Sequence, residues 1–396
     1  MEESPHLLGL LRGRRVALIL GGGGVGKTTV SAAVALAAAR SGRRVLVLTV
    51  DPSNRLKSAL GLSGLPGVEE AVDLGTEVPV SGGSLHAMIL DAPSELARLI
   101  QQQVPSVEAQ ARITTSVFYR EAAGKLVGTH EYLAILRLLE CVQSGRHDLV
   151  VLDTPPDRHV LDFLDAPSRL EALLTSDAFR LFVAASSGVS RIGIRALRFP
   201  SLLLRGLGRF AGEEAFLSVL DFLLALSPLF DALRDRASRM RAILSSDATV
   251  GFLVCRPSVT AGVDVHRALT ALQARQIHVA GVFVNGVHAW PPPPCDCNKE
   301  LLQTVPFDAA TIKDAFLTDP SFGLVDAATL RSLAGQTLSL AAQYRRMVED
   351  DQPHVRAVIA AVRPVPVFDL PLFGEEIRDI HGLTTFSRIL EHRAAT

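Results

Sequence analysis

Gly21-Gly-Gly-Gly-Val-Gly-Lys-Thr-Thr29 follows a short apolar run, Val16–Leu20, and leads into an alanine-rich segment, Val30–Arg40. The string satisfies G-x-x-x-x-G-K-[ST], with Gly21, Gly26, Lys27 and Thr28 in the fixed places. A loop of glycines lets consecutive backbone N–H groups wrap around phosphate oxygens, and the helix that follows points its positive end at them. Gly23, Gly24, Val25, Gly26, Lys27, Thr28 and Thr29 are therefore the candidate nucleotide-binding residues. Lys27 would reach the β and γ phosphates, and the Thr28 hydroxyl would help hold Mg2+. Gly21-x-Gly23-x-x-Gly26 also fits the dinucleotide fingerprint, and Asp51 lies near the distance expected of its ribose-binding acid. A pyrophosphate turn has no use for Lys27 and Thr28, so the reading settles on a nucleoside triphosphate.

Outward from the loop, Val45–Val50 and Leu149–Leu152 are continuous apolar runs, as expected of parallel strands buried on both faces. Each ends in a polar loop, Asp51-Pro-Ser-Asn-Arg-Leu56 and Asp153-Thr-Pro-Pro-Asp-Arg-His159. Such loops at the carboxyl ends of strands share one sheet edge with the phosphate loop. Asp153 has the character of the acid that acts on Mg2+ through water. Leu85–Leu90, Val250–Val254, Val279–Val284 and Val365–Leu370 read as further strands, and Gly61–Gly83 as irregular.

Helical periodicity fills most of the remainder. The expected fold is α/β: one P-loop NTPase domain over residues 1–396, a doubly wound, mostly parallel sheet with an inserted α-helical subdomain at about 92–147 and 161–246. Helices are also expected around Val263–Ala274, over Ala327–Met347 and at the C-terminus.

With 396 residues, 48% hydrophobic, and a formal net charge of −1, the chain can bury a large core and gives no support for nucleic acid as a partner. Leu7–Leu11 is too short for a signal-peptide core, and no apolar run has the length of a membrane span. The expected location is the cytoplasm. Ala178–Gly212 holds six arginines among apolar residues and no acid. This is a composition for a client-binding lid, a peripheral membrane surface or a plainly packed helical region.

With these loops in this order, the chain resembles the ArsA-type ATPases over nearly its whole length. That family includes the arsenite-pump ATPases and those that target tail-anchored membrane proteins, within the larger group of the MinD and ParA ATPases. TVDPSNRL at Thr49–Leu56 is similar to the family's first switch and DTPPDRH at Asp153–His159 to its second. FVNGV at Phe283–Val287 sits where the family has an adenine-reading Asn, and LPLFGEEIRDIHGL at Leu370–Leu383 is similar to its closing motif. YREAAGKLVGTHEYLAI and LDFLDAP look closest to bacterial ArsA-like paralogues.

The resemblance implies a Mg2+-dependent ATPase that pairs with itself or with a paralogue and handles a hydrophobic client or a membrane-associated partner. Asp51 would position or activate the attacking water, and Asn285 would contact the base. Asn298-Lys299-Glu300-Leu301 is not the guanine motif, since Leu301 accepts no hydrogen bond. Three departures stand out. The family's intersubunit lysine is replaced by Gly22, which puts efficient hydrolysis by like pairs in question. Asp157-Arg158 replaces the usual Thr-Gly of the second switch. Cys295-x-Cys297 stands where the targeting branch has a C-x-x-C zinc pair, so either zinc or free thiols would fit there. Cys141, in a helical pattern, and Cys255, at a strand end, give metalloid binding little support.

Overall fold

A computed structural model describes residues 6–50, 55–75, 82–104, 106–115, 129–155, 157–176, 227–290, 310–312, 314, 326–374 and 376–392. Its eight-stranded sheet comprises β1 (Val16–Gly21), β2 (Arg44–Thr49), β3 (Glu70–Ala71), β4 (Ser84–Ile89), β5 (Leu149–Asp153), β6 (Thr249–Cys255), β7 (Val279–Val287) and β8 (Val367–Pro371). The spatial order is β3-β4-β2-β5-β1-β6-β7-β8, so β1 lies inside the sheet between β5 and β6. Every pairing is parallel except β3 with β4. The seven strands expected from sequence are all present. The addition is β3, inside the stretch expected to be irregular, where Glu70 and Ala71 pair antiparallel with Ala87 and His86 of β4.

Successive strand residues enter opposite layers, as the period of two requires. Val16, Leu18 and Leu20 of β1 join one apolar cluster, while Ala17 and Ile19 join the other. On the second side lie α1 (Leu7–Leu10), α2 (Lys27–Arg40), α3 (Arg55–Leu60) and the terminal α11 (Ile380–His392). On the first side lie α6 (Thr129–Gln143), α7 (Asp157–Thr175), α8 (Ser227–Leu244), α9 (Ala261–Gln273) and α10 (Ala327–Val362). Helices α4 (Ala92–Gln103) and α5 (Val107–Thr115) precede α6.

Helix α2 shows why the sequence is so rich in alanine. Residues Val30–Ala39 are all buried, so the helix has almost no solvent face and takes small side chains throughout. Below it, Phe252, Phe283 and Phe368 from three adjacent strands form a row, with ring centroids 5.3 and 5.4 Å apart.

Helix α10 runs fifteen residues beyond the expected end and passes through Pro353. A proline inside a helix costs roughly 3 kcal/mol. Beyond it Val355, Val358 and Val362 are buried against the sheet, and full burial of such a side chain contributes about 1.5–3 kcal/mol. Packing wins, and the helix continues. No helix among the described residues is long and apolar enough to cross a membrane.

Helices α4, α6 and α8 share a small apolar cluster of Ala92, Leu99, Leu133 and Leu136, with Leu96 and Leu233 packed against it. Glu140 of α6 ties the same helices together, 2.6 Å from Arg98 of α4 and 3.3 Å from Arg236 of α8.

Candidate functional site

The glycine loop joins the end of β1 to the start of α2, with Gly26 at the helix N-cap. Two glycines are required there by different constraints. A Cβ on Gly21 would sit 2.2 Å from the carbonyl oxygen of Val254 on β6, where backbone has no room to yield. Gly26 has φ +93°, and a Cβ there would lie 2.2 Å from Asn285 Nδ2. Both positions thus exclude a side chain, and a loop without side chains lets backbone N–H groups approach phosphate oxygens.

Lys27 is buried, and its Nζ donates to the Gly22 carbonyl at 2.8 Å, reaching back across the loop. Thr28 Oγ1 donates to Asp153 Oδ2 at 2.7 Å. Asp153 ends β5 and is itself buried. The same Oδ2 accepts from Thr49 Oγ1 at 2.9 Å, because Thr49, the last residue of β2, is aligned with Asp153 across the ladder. Ser31 adds a longer contact to Oδ1, 3.4 Å, from three residues further along α2 than Thr28. Thr154 closes the corner by donating both its hydroxyl and its N–H to the Ile19 carbonyl, at 2.8 and 3.3 Å.

One buried carboxylate within a set of hydroxyls at a helix N-terminus is a hard oxygen donor set. Mg2+ is held in this way when one or two carboxylates act together with substrate phosphates. Thr28 and Asp153 therefore fit the ion expected from sequence.

Asn285 lies near the end of β7, and its Nδ2 donates to the Val25 carbonyl of the phosphate loop at 2.8 Å. Beside it opens a cleft of about 220 Å3 lined by Thr29, Arg256, Asn285, Pro371, Phe373 and Ile377. The closing motif supplies three of these, so the cleft joins the loop to the chain segment after β8. A second cleft, of about 210 Å3, reaches Leu20 and Gly21 from the other face of the sheet. Its walls are mostly apolar, with Leu161, Leu253, Ala268 and Leu272.

The structure brings together Gly26, Lys27, Thr28, Asp153 and Asn285. Asp51, Cys295, Cys297 and the arginine-rich Ala178–Gly212 lie outside the described residues. Helix α7 starts at Asp157, within the expected second switch. Thr49 and Ser31 have no assigned role in the sequence reading. Signals for both exist: Thr49 opens the TVDPSNRL stretch two residues before Asp51, and Ser31 follows Thr28 by one helical turn.

Cys141 and Cys255 are buried free thiols, and desolvation pushes them up to about 11 and about 12. Neither has the thiolate character that metalloid binding needs.

A family model described as "Anion-transporting ATPase" matches residues 14–305, well over half of the chain. Curated relatives are ATPases by name. The ATPase GET3 of Malassezia globosa is 27% identical over 280 residues, covering 70% of this chain and 73% of its own. An ATPase ASNA1 homolog of Paramecium tetraurelia is 22% identical over 271 residues, covering 67% and 74%. One from Trypanosoma cruzi is 26% identical over 323 residues, covering 75% and 81%.

Proposed function

Since the chain belongs to the anion-transporting ATPase family and is an ATPase, we propose that it works as a Mg2+-dependent dimeric switch whose nucleotide state governs how its helices hold an apolar client or partner protein. The observation that carries this is the Asp153 carboxylate, bound at once by Thr28 of the phosphate loop and Thr49 of the strand leading to the first switch. A change at the phosphates is felt on both strands through one side chain.

In this reading the loop amides of Gly23–Thr29 bind the triphosphate, and Lys27 exchanges the Gly22 carbonyl for a phosphate oxygen. Thr28 and Asp153 would hold Mg2+, which supplies neutralisation of charge on the phosphate oxygens. Asp51 positions the attacking water, and Asn285 with its neighbouring cleft takes the base. Helices within 92–147 and 161–246 form the client-handling part. The apolar cluster buried between α4, α6 and α8 supports these helices packing together as one unit.

The test is ATP turnover in the full chain. Lys27→Ala should abolish it and Asp51→Asn should reduce it strongly. Turnover indifferent to both changes overturns the reading.

Gly22 favours a second reading, in which this chain is a weakly active or non-catalytic subunit beside a lysine-bearing paralogue. Charge contributed across an interface is worth orders of magnitude in phosphoryl transfer. Tight ATP binding without hydrolysis until such a paralogue is added would select it.

A further inference from the structure

The phosphate loop and Asp153 occupy the carboxyl ends of the parallel strands. Toward the amino ends of the same sheet, three side chains that the ATPase chemistry does not use converge. Glu69 immediately precedes β3, His86 lies in β4 in register with Leu46 of β2 and Ala71 of β3, and His147 stands two residues before β5. Glu69 Oε1 is 3.1 Å from His147 Nε2. The two imidazole centroids are 5.4 Å apart, with planes at 66°. One donor atom from each of the three residues lies within 4.8 Å of the other two.

The cluster is poorly explained by packing. His147 is 5% exposed, and the Nδ1 atoms of His86 and His147 are both buried with no hydrogen-bond partner among the described residues. Leaving such an atom unsatisfied costs about 1–3 kcal/mol.

We propose that Glu69, His86 and His147 form a divalent-metal site, suited to zinc, that staples the β3–β4 edge of the sheet to the segment leading into β5. Two imidazoles and one carboxylate are a set that zinc takes with bonds of about 2.0–2.2 Å, which puts neighbouring ligand atoms roughly 3.3–3.5 Å apart in a tetrahedron. The cluster is within about an ångström and a half of that spacing, a distance that side-chain rotation covers. Three protein ligands leave a fourth position for water.

The surroundings agree with this assignment. Arg146 holds Glu69 Oε2 at 2.8 Å and leaves Oε1 turned to His147, the way an outer partner orients a ligating carboxylate.

The experiment uses the tag-free full chain with Cys295→Ser and Cys297→Ser, which removes the two thiols as a competing zinc site. After chelator treatment it is titrated with Zn2+ and, separately, Co2+. The expected result is one equivalent per chain, a raised Tm, and Co2+ d–d bands without thiolate charge-transfer absorption. His86→Ala should weaken Zn2+ binding by at least about a hundredfold, beyond the 10–100-fold typical of outer-shell changes, and should abolish the rise in Tm. Glu69→Gln, close in volume, provides a second variant, and retained ATP turnover with native far-UV circular dichroism shows that each variant is folded. No saturable Zn2+ binding in the cysteine-free chain, or binding unchanged by both folded variants, overturns the proposal.

Discussion

Asn285 Nδ2 donates to the Val25 carbonyl at 2.8 Å, and by this bond the end of β7 is latched to the phosphate loop. The same amide nitrogen stands 2.2 Å from where a Gly26 Cβ would be, so the two positions constrain one another. Asn285→Ala should weaken ATP binding about three- to tenfold, the scale of one net hydrogen bond of ~0.5–1.5 kcal/mol, as read by competition with a fluorescent analogue. Gly26→Ala should be worse. In the double variant part of the Gly26→Ala cost should disappear, leaving the strain of a positive φ in alanine. Strict additivity in urea denaturation would mean that the amide is not what excludes the side chain.

Thr49→Val keeps the volume of a buried side chain but removes the hydroxyl that Asp153 Oδ2 accepts from. A stability loss of about 1–2 kcal/mol is expected, since the carboxylate loses a donor in a site with little water. Urea unfolding should show a lower midpoint at unchanged slope. Turnover should fall as well, because the strand leading to Asp51 loses its tie to Asp153, the acid proposed to hold Mg2+. Full turnover with reduced stability would make Thr49 purely structural.

Gly22 takes no positive φ, unlike Gly24 and Gly26 in the same loop, so its φ poses no obstacle to a lysine. Gly22→Lys should raise ATP turnover at least tenfold in a chain that pairs with itself. Turnover as a function of protein concentration separates this from an effect within one subunit. No gain at any concentration would argue against lysine stabilisation across a like pair.

Cys141 and Cys255, with pKa values pushed up to about 11 and about 12 by burial, should be unreactive toward a thiol reagent at pH 8 in the folded protein. Both groups are protonated well above that pH, and only the thiolate attacks. In the Cys295→Ser, Cys297→Ser chain, reagent uptake should therefore be negligible until denaturant is added. Rapid modification of either thiol in the native state would show that its layer opens readily.

Much of the sheet was legible in the sequence because its central strands are covered on both faces. Val16–Leu20 and Leu149–Leu152 have no solvent side, so nothing interrupts their apolar runs. Strand β3 carries no such signal: Glu70 and Ala71 pair only because β4 presents an edge, a tertiary circumstance. The continuation of α10 through Pro353 was hidden for a similar reason, since local propensity points to a stop and only packing reverses it. At the site, Lys27, Thr28 and Asp153 declared themselves through spacing. Thr49 and Ser31 did not, because a hydroxyl is unremarkable in sequence until its acceptor is known. The Glu69, His86 and His147 group was less visible still. Its members come from three separate segments, and the β3–β4–β2–β5 pairing alone brings them within reach of one another.

A last consequence concerns a proton. Asp153 Oδ2 accepts the O–H of Thr28, so that hydrogen is committed to the carboxyl group. What remains on the Thr28 oxygen is lone pairs, which repel phosphate oxygens and attract a cation. The choice between the two is therefore made by the direction of one O–H bond before any ligand arrives. Asp153→Asn, whose side chain offers donors as well as an acceptor, would release that hydroxyl to turn, and the polarity of the site would no longer be set in advance.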